Sequence, residues 1–500
     1  MAEPAQVQQG QTEVSRLFQQ GFALHQQGQV AQAKALYEQV LARQPKHFDA
    51  LHLLGVIAVQ SKNPTLAVDL ISKAIAINPN SAAAYSNRGV ALKALKRLDD
   101  AVASYDKAIV LEPDNAEAYS NRGNALKELK RLDDAVASHD KAIVRRPDYA
   151  EAYCNRGVAL QELKRLDDAV ASYDKAIVLR PNYAEAYGNK SLALLLFGAI
   201  DQGWEWYEWR WKTQDGEREA LSTRKPAFTP NGRDKRLLVW AEQGIGDEIM
   251  FGSLLTEARQ LCSKLLVAMD ARLIPLFARS VENVEFLARG RAVPEDAYDE
   301  HIAMGSLCRH LRPDEQSFKN TAQGFLIADP TRTERIRNAL GAGNGQKLCG
   351  ISWRSTNQKF GAKKSMRLSA MVEALALSGH RLVNLQYGDT QDEIAQVSRQ
   401  YGIEILNCKE VDNTKDIDGL ASLIQACDVV VSISNTTVHL AGALGKDTRV
   451  LLPYAPDWRW MLDRDDSPWY KSVKLYRQGQ DMQWEPVLQR VATDLLELNQ

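Results

Sequence analysis

Two glycine-containing segments in the second half of the chain carry residue types that could do chemistry. The first is AEQGIGDEIMF (241–251), in which Gly244 and Gly246 allow a tight turn after a buried strand. Asp247 and Glu248 fall in the first turn of the helix that follows, where the helix dipole favours acidic residues. The segment lacks the third glycine of a dinucleotide fingerprint and the Gly-Lys-Ser/Thr of a P-loop. Because a carboxylate repels phosphate, this turn is predicted to present a base to an acceptor hydroxyl.

The second segment is SISNTTVHLAGALG (432–445), which also follows a buried apolar run. Asn435, Thr436 and Thr437 can cap the helix that carries His439. Backbone N–H groups and hydroxyls at such a helix start form a site for a diphosphate. The alternative is that the three polar residues only cap the helix and that His439 is a core histidine.

Both segments lie in a region where short apolar runs alternate with helical stretches, a pattern typical of parallel sheets covered by helices. The runs begin at Arg236, Lys264, Val284, His301, Cys349, Arg381, Val429, Arg449 and Val473. We therefore expect two doubly wound domains, at 236–330 and 331–500. Ligands of such domains bind at the carboxyl ends of the strands, so both turns should face a cleft between the domains.

The first half of the chain is built on a different period, since proline and glycine both recur there every 34 residues. The recurring residues are Pro45, Pro79, Pro113, Pro147 and Pro181, and Gly21, Gly55, Gly89, Gly123 and Gly157. This pattern resembles the tetratricopeptide-repeat family. Each unit is predicted to be two antiparallel helices that cross closely at small residues, with the proline ending the second helix. We place the units at 14–47, 48–81, 82–115, 116–149 and 150–183, and expect them to form an all-α superhelix.

An atypical sixth unit, at 184–212, lacks the closing proline and is predicted to be a cap, which extends the repeat domain to 14–212. Trp204, Tyr207 and Trp211 share one helical face in this cap. We expect them to pack against the next domain, the alternative being a platform on which a ligand stacks. Residues 213–235 are rich in charged and small residues and are predicted to be a linker.

One amide recurs at a fixed position of the first helix of the units, on the predicted concave wall. The residues are Asn87, Asn121, Asn155 and Asn189. A carboxamide can pair with both the N–H and the C=O of an extended peptide backbone. This ladder is therefore predicted to hold a polypeptide without reading its side chains. The alternative is a set of solvated asparagines copied by duplication, since KRLDDAVAS occurs three times.

The composition of the 500 residues excludes some functional classes. The formal net charge of -1 gives no basic footprint for nucleic acid. The six cysteines form no C-x-x-C pair, so neither a disulfide framework nor a zinc site is indicated. Neither a signal peptide nor a membrane-spanning run is recognisable. We expect a cytoplasmic protein in a reducing compartment.

Three motifs together resemble those of the heptosyltransferase-like (family 9) glycosyltransferases. They are GIGDEIMF at Gly244, GISW at Gly350 and SNTTVHLAGALG at Ser434. YAPDWRWMLDRDDSPWY (454–470) is typical of the subgroup that joins this domain to tetratricopeptide repeats. The resemblance implies a GT-B-like pair of doubly wound parallel sheets, with the acceptor on the first and the nucleotide sugar on the second. The layout is also similar to protein O-linked N-acetylglucosamine transferases, whose repeat domain holds the acceptor polypeptide.

The resemblance further implies an inverting, metal-independent sugar transfer that uses the nucleotide sugar as a substrate and needs no cofactor. Asp247 is the implied catalytic base. The implied donor-binding residues are Arg354, Lys364, Asn435, Thr436, Thr437 and His439, with Asp389 or Asp392 at the ribose. Asn435 departs from the aspartate of many relatives. Asp463-Arg464-Asp465 imitates a metal-binding D-x-D motif, but its loop context favours a structural or acceptor-facing role.

Three functional hypotheses follow from these patterns. The first is a glycosyltransferase that modifies hydroxyls of a protein held by the repeats, and flagellin is the acceptor suggested by resemblance to bacterial proteins of this build. The second is an interaction scaffold whose transferase-like domain is inactive. The third is an enzyme with a glycan or lipid-linked acceptor, which the peptide-suited groove disfavours.

Overall fold

The structure is a computed structural model of the chain. It describes residues 3–230, 233–319, 321–342, 346–357 and 361–497, except the side chains of 3–10 and 377. The chain divides into two compact units, Met1–Ala186 and Tyr187–Gln500. Within the described ranges, no helix combines the length and the apolar character that crossing a bilayer requires.

The first unit consists of helical hairpins that follow the 34-residue period. Its helices are α1 (Glu3–Gln26), α2 (Val30–Arg43), α3 (Phe48–Gln60), α4 (Pro64–Ile77), α5 (Ala82–Ala94), α6 (Leu98–Leu111), α7 (Ala116–Glu128), α8 (Leu132–Arg145), α9 (Ala150–Glu162) and α10 (Leu166–Leu179). Each recurring proline lies two residues beyond the end of the second helix of its hairpin. The predicted pairing of helices is therefore confirmed, and proline stands where it cannot interrupt a helix.

The recurring glycines mark the points where the two helices of a hairpin touch. A Cβ atom placed on any of them would lie between 2.4 and 2.9 Å from the side chain sixteen residues later. At Gly157, for example, it would lie 2.5 Å from Cε1 of Tyr173, a ring that is fully buried. These distances leave room only for hydrogen, so the prediction of small residues at the helix crossings is confirmed.

The second unit begins within a helix and contains two parallel sheets. The elements of its first part are α11 (Ala184–Phe197), α12 (Ile200–Tyr207), α13 (Gln214–Glu219), β1 (Arg236–Trp240), α14 (Ile245–Gly252), α15 (Leu255–Ala258), β2 (Lys264–Met269), α16 (Ile274–Ser280), β3 (Val284–Ala288), β4 (Glu300–Ala303) and α17 (Cys308–Leu311). The strands are parallel and lie in the order β3-β2-β1-β4. The run predicted as a strand from His301 ends at Ala303, because Met304–Leu307 forms a 3-10 helix.

The second sheet has six parallel strands in the order β10-β9-β8-β5-β6-β7. Its elements are α18 (Pro330–Ala339), β5 (Leu348–Ser352), α19 (Gly361–Lys364), α20 (Leu368–Leu375), β6 (Arg381–Asn384), α21 (Gln391–Tyr401), β7 (Ile405–Leu406), α22 (Ile417–Ala426), β8 (Val429–Ile433), α23 (Thr436–Ala443), β9 (Thr448–Leu452), β10 (Val473–Arg477) and α24 (Glu485–Glu497). This is a doubly wound order, and it reverses between β5 and β8. The central strands β5, β8 and β9 are buried along their whole length.

The aromatic cap packs against the first sheet, as its sequence predicts. Trp204 Nε1 donates a hydrogen bond of 2.9 Å to the backbone oxygen of Arg312. The ring centroid of Trp211 lies 5.0 Å from that of Trp240, on β1. These contacts explain why the division of the chain falls near the start of the cap, within α11, rather than at residue 212, where the repeat domain was expected to end.

The segment 213–235 differs from the linker expected from its composition. It contains α13, and further along Phe228 is buried, with its N–H donating to the backbone oxygen of His301 over 2.8 Å. The N–H of His301 in turn donates to the backbone oxygen of Pro226 over 3.1 Å. Residues 226–228 therefore lie beside β4 through one isolated parallel bridge between Ala227 and His301, where one buried ring and two backbone hydrogen bonds hold them.

Candidate active site

Asp247 lies at the carboxyl end of β1, in the first turn of α14. This helix begins after Gly244, whose N–H points to Asp247 Oδ2 at 3.4 Å. The side chain of Asp247 is 17% exposed. A carboxylate in this position is favoured by the helix dipole and remains open to the cleft.

Glu248, the second acidic residue of the turn, points the other way. Its side chain is 2% exposed, and Oε2 accepts the backbone N–H of Asp270 at 2.7 Å. Burial raises the pKa of Glu248 to about 7, although this hydrogen bond and the charge of Arg289 oppose the shift. Glu248 thus joins α14 to the end of β2, and Asp247 is the carboxylate of this turn that faces the second sheet.

Asp247 is paired with Arg459, which comes from the second sheet domain. Arg459 lies in a short 3-10 helix, Trp458–Trp460, and its Nε donates to Asp247 Oδ1 at 2.9 Å. Nη2 donates to the same oxygen. Burial disfavours the charge of Arg459, but the carboxylates of Asp247 and Asp457 outweigh it, so the pKa of Arg459 is raised above its ordinary value.

Asp457 extends this pair into a row of alternating charges. Its Oδ1 lies 3.5 Å from Arg459 Nη1, and its Oδ2 lies 3.4 Å from Lys364 Nζ. Ser434 Oγ donates to Oδ2 at 3.2 Å. Burial opposes ionisation of Asp457, yet Arg459 and Lys364 together lower its pKa to about 2. Two carboxylates and two cations therefore meet where the carboxyl edges of the two sheets face each other.

His439 on α23 lies against the turn that carries Asp247. A Cβ atom on Gly246 would be 3.0 Å from Cδ2 of His439. Nδ1 lies 3.0 Å from the hydroxyl of Tyr470, and the ring stacks on Trp460 with centroids 5.4 Å apart. Burial, followed by the charge of Arg459, lowers the pKa of His439 to about 4. The imidazole is therefore neutral at physiological pH, where it can form hydrogen bonds but supplies no positive charge.

Asn435 caps α23, as one of the two sequence interpretations expected. Its Oδ1 accepts the N–H of Thr437 at 3.0 Å, and its Nδ2 donates to Ser352 Oγ at 2.7 Å and to the backbone oxygen of Arg354 at 3.2 Å. The amide thus ties the end of β8 to the end of β5. Thr436 is half-buried beside it.

Thr437 follows Asn435 in the first turn of α23 and is fully buried. Its hydroxyl has no hydrogen-bond partner among the described residues. Because buried polar groups are normally satisfied, this hydroxyl is suited to a ligand at the helix start.

Arg354 and Lys364, two of the residues expected at the donor, both lie at this edge, although residues 358–360 between them lie outside the described part. Arg354 Nη1 lies 3.2 Å from Glu393 Oε2, and its Nη2 donates to the backbone oxygen of Asp389. Lys364 ends α19 and is paired with Asp457 as described above. Both cations lie at the carboxyl edge of the second sheet, but each already has a protein carboxylate as its partner.

A polar cavity of about 180 Å³ lies farther along this edge, at the ends of β6 and β7. It is lined by Asn384, Gln386, Gly388, Thr390, Asn407, Cys408, Val411, Asp412, Asn413 and Thr414. Oδ1 of Asn413 is buried without a hydrogen-bond partner among the described residues. Asp389, one of the two carboxylates expected at a ribose, instead accepts the N–H of Gln391 at 3.2 Å at the start of α21, and Asp392 lies on that helix.

The recurring asparagines lie on the first helices of their repeats and are half-exposed. Asn87, Asn121 and Asn155 are on α5, α7 and α9 of the first unit, whereas Asn189 is on α11 in the second. Nδ2 of Asn87 lies 2.9 Å from Nε2 of His52. One of the four asparagines is therefore already hydrogen-bonded, to the preceding repeat.

Sequence reasoning missed the partners of Asp247. Arg459 and Asp457 lie in the segment 454–470, which the sequence marked only as typical of one subgroup, without a role for either residue. These residues flank Trp458, in the WRW segment that core packing alone could explain. The sequence held one signal for this pairing. Arg459 stands between two tryptophans that are expected to be buried, and a buried charge requires a partner.

Comparison with known proteins identifies the repeats. Segments of the chain match family models described as "TPR repeat" or "Tetratricopeptide repeat". The matched residues are 18–82, 70–103, 91–130, 123–164 and 150–183. Residues 18–183 are therefore tetratricopeptide repeats, in agreement with the sequence period.

Among curated proteins, Protein FlbA from Caulobacter vibrioides is 34% identical in an alignment of 324 residues that covers 60% of this chain and 53% of that protein. The chain thus spans about half the length of this relative. The crystal structure of MamA is 25% identical with a TM-score of 0.31, over 33% of this chain and 96% of MamA. The crystal structure of YrrB, described as a TPR protein with an unusual peptide-binding site, is 21% identical with a TM-score of 0.33, over 38% of this chain and 99% of YrrB. Because the alignment with FlbA is longer than the repeat region, it extends into the second unit.

Proposed function

We propose that this protein is a nucleotide-sugar-dependent glycosyltransferase that modifies hydroxyls of a protein acceptor held by its repeats. The observation that carries the proposal is the position of Asp247. It lies on the first helix after β1, and its partner Arg459 comes from the opposite sheet domain. Two doubly wound sheets with facing carboxyl edges are the arrangement of a GT-B-like transferase, and Asp247 is the carboxylate expected to act as its base.

The donor side of the proposal is supported by a continuous polar edge on the second sheet. The cavity at β6 and β7 offers amide groups and an unpaired Asn413 oxygen, which suit the polar edge of a nucleoside. Beyond it lie Arg354, the start of α23 with the unpaired Thr437 hydroxyl, and then Lys364. Backbone N–H groups at a helix start and nearby cations stabilise a leaving phosphate.

The proposed reaction is an in-line displacement that inverts the anomeric carbon. The acceptor oxygen forms a bond to that carbon while Asp247 takes the proton of the acceptor hydroxyl. The bond from the anomeric carbon to the phosphate oxygen breaks, and its electron pair leaves with the nucleotide. General-base assistance of this kind contributes about 10²- to 10⁴-fold to the rate.

The acceptor side is supported by the repeats. Asn121 and Asn155 are half-exposed on the first helices of successive hairpins, where carboxamides can bind an extended polypeptide. Asn87 and Asn189 belong to the same proposed set. A protein acceptor follows from this arrangement, and flagellin is a specific candidate that rests on resemblance alone.

One observation favours the alternative of an inactive scaffold. The charges of Asp247, Arg459, Lys364 and Asp457 are mutually paired within the protein, and Arg354 is paired with Glu393. A donor that binds here must compete with these carboxylates for the cations. The scaffold would keep the fold and the repeat surface without turnover.

The test combines nucleotide binding with product mass. Thermal-shift measurements with UDP, GDP, ADP, CDP and CMP identify the nucleotide, and intact-mass analysis of coexpressed acceptor proteins detects the transferred sugar. Asp247→Asn should lower transfer by at least about 100-fold while the nucleotide-induced thermal shift is retained. Asp296→Asn, at an exposed aspartate of the first sheet domain, is the matched control and should transfer normally. A nucleotide-induced shift without any mass gain by the wild-type protein would favour the scaffold, and normal transfer by Asp247→Asn would remove the base assignment.

A further inference from the structure

The two carboxylate oxygens of Asp247 have different surroundings. Oδ1 accepts both hydrogen bonds from Arg459, through Nε at 2.9 Å and through Nη2. Oδ2 has one described contact, with the N–H of Gly244 at 3.4 Å, which is at the weak end of hydrogen bonding. One oxygen is therefore fixed, and the other retains lone-pair capacity for a further proton donor.

Arg459 is itself held by its neighbours. Its guanidinium lies 4.7 Å from the ring centroid of Trp458, and that ring contacts Trp204 of the cap edge-on at 5.4 Å. Its backbone N–H donates to Asp457 Oδ1 at 3.2 Å, and the same oxygen faces Nη1. The side chain is 16% exposed. A planar guanidinium with this support can impose a fixed orientation on a carboxylate.

We propose that Arg459 is a positioning residue for Asp247, which it reaches from the opposite sheet domain. It fixes Oδ1, and thereby directs Oδ2 at the acceptor hydroxyl that loses its proton. This role rests on the proposed function of Asp247 as the base. The transferred proton ends on Oδ2, so the hydrogen bonds to Arg459 persist through the step.

A positioning residue acts on the rate only through the residue that it holds. Removal of the fixed geometry should therefore lower the rate, because misplacement of a reacting group by about 1 Å costs about 100-fold. The same substitution should cost little more once the carboxylate of Asp247 has been removed, because residues that act as one unit have non-additive effects on the rate.

The experiment compares Arg459→Gln and Arg459→Lys in the full-length protein, with the nucleotide sugar and acceptor found for the wild-type enzyme. Arg337→Gln is the matched control, because Arg337 pairs with Asp428 at 2.9 Å at the amino edge of the same sheet, away from the cleft. Arg459→Gln should lower kcat by about 100-fold, with KM for the donor changed less than about threefold. Arg459→Lys keeps the charge but not the two hydrogen bonds to Oδ1, so its kcat should also fall. In an Asp247→Asn background, Arg459→Gln should lower kcat by less than about threefold further. Arg337→Gln should change neither quantity, and the melting temperatures of all variants report whether they are folded.

The outcomes separate this proposal from the proposed function. An unchanged kcat in Arg459→Gln would overturn the positioning role while leaving the transferase intact. A kcat that falls by the same factor in the Asp247→Asn background would also overturn it, because general loosening of the cleft produces that result. If Arg459→Gln fails to fold, the comparison passes to Arg459→Lys, where a normal kcat would overturn the proposal. A wild-type protein that transfers no sugar would overturn both proposals.

Discussion

His139 offers a sharp test of how the repeats are packed. It occupies the position that holds Tyr105 in the preceding repeat and Tyr173 in the following one, and it is fully buried against Gly123. Neither ring nitrogen has a hydrogen-bond partner among the described residues. Burial, followed by the charges of nearby cations, lowers its pKa to about 3. The perturbation is His139→Phe, which keeps an aromatic ring in a space that accommodates tyrosine elsewhere and removes both nitrogens.

The size of the effect follows from the pKa. In the folded protein His139 stays neutral down to about pH 3, whereas in the unfolded chain it binds a proton below its ordinary value of 6.5. The free energy of unfolding of the wild type therefore falls as pH decreases below 6.5, by about 2 kcal/mol between pH 7.5 and pH 5 from this group alone. At pH 7.5 the variant should already be more stable by about 1–3 kcal/mol, because buried polar atoms without partners are costly.

The assay is thermal unfolding of the full-length protein, followed by far-ultraviolet circular dichroism at both pH values. The advantage of His139→Phe over the wild type should increase from pH 7.5 to pH 5 by about 2 kcal/mol, or roughly 4–8 °C in the melting transition of the repeat unit. Tyr105→Phe is the control at the equivalent position, and its difference from the wild type should not depend on pH in this range. An advantage of His139→Phe that is the same at the two pH values would refute the reasoning, because it would mean that the buried imidazole is protonated alike in the folded and unfolded states.

Two further predictions concern stability. Gly157→Ala should destabilise the first unit by about 1–3 kcal/mol, because the new Cβ would lie 2.5 Å from the ring of Tyr173. A Cβ on Gly188 would have no atom within 4 Å, so Gly188→Ala should be neutral or stabilising by up to about 1 kcal/mol. Equal melting temperatures for the two variants would contradict the close helix crossing. Glu248→Gln should remove a pH dependence of stability opposite in sign to that of His139. The pKa of Glu248 is raised to about 7 in the folded protein, so this residue stabilises the fold most at low pH. Its contribution to the free energy of unfolding decreases by about 3 kcal/mol from pH 4.5 to pH 8. Denaturant unfolding across this range should show that the stability of the variant increases relative to the wild type as pH rises. The new amide oxygen can still accept the N–H of Asp270. A difference in the free energy of unfolding that does not change with pH would contradict the burial of the charge.

The sequence predicted elements well wherever one physical signal dominated. The repeats follow from a glycine and a proline in fixed register, each with a steric reason that the structure bears out. Among the residues that the structure describes, nine of the ten strands begin within one residue of a predicted apolar run. The exception, β7, has only Ile405 and Leu406 and adds the outermost strand beside β6, so too few apolar residues mark it.

The site itself was only half visible in the sequence. Turn chemistry indicated Asp247 and Asn435, because glycine, acidic and amide residues have local reasons to stand at helix starts. Arg459 is 212 residues from Asp247 along the chain, and nothing local pairs them. The partners of the cap could not be predicted from the sequence for the same reason. The sequence places Trp204 on one helical face with its neighbours, but its hydrogen-bond acceptor, the backbone oxygen of Arg312, is specified only by the tertiary fold.

The close helix contacts of the first unit each lie within one hairpin, which affects how the number of repeats can change in evolution. Each tight glycine contact joins residues of a single 34-residue unit, such as Gly89 with Tyr105, and the segment KRLDDAVAS recurs in three successive units. Duplication or loss of one stretch of coding sequence therefore adds or removes a complete hairpin together with its asparagine, and leaves every contact around Asp247 as it was. The number of asparagines along the repeats can therefore change in steps of one hairpin while the second unit stays the same.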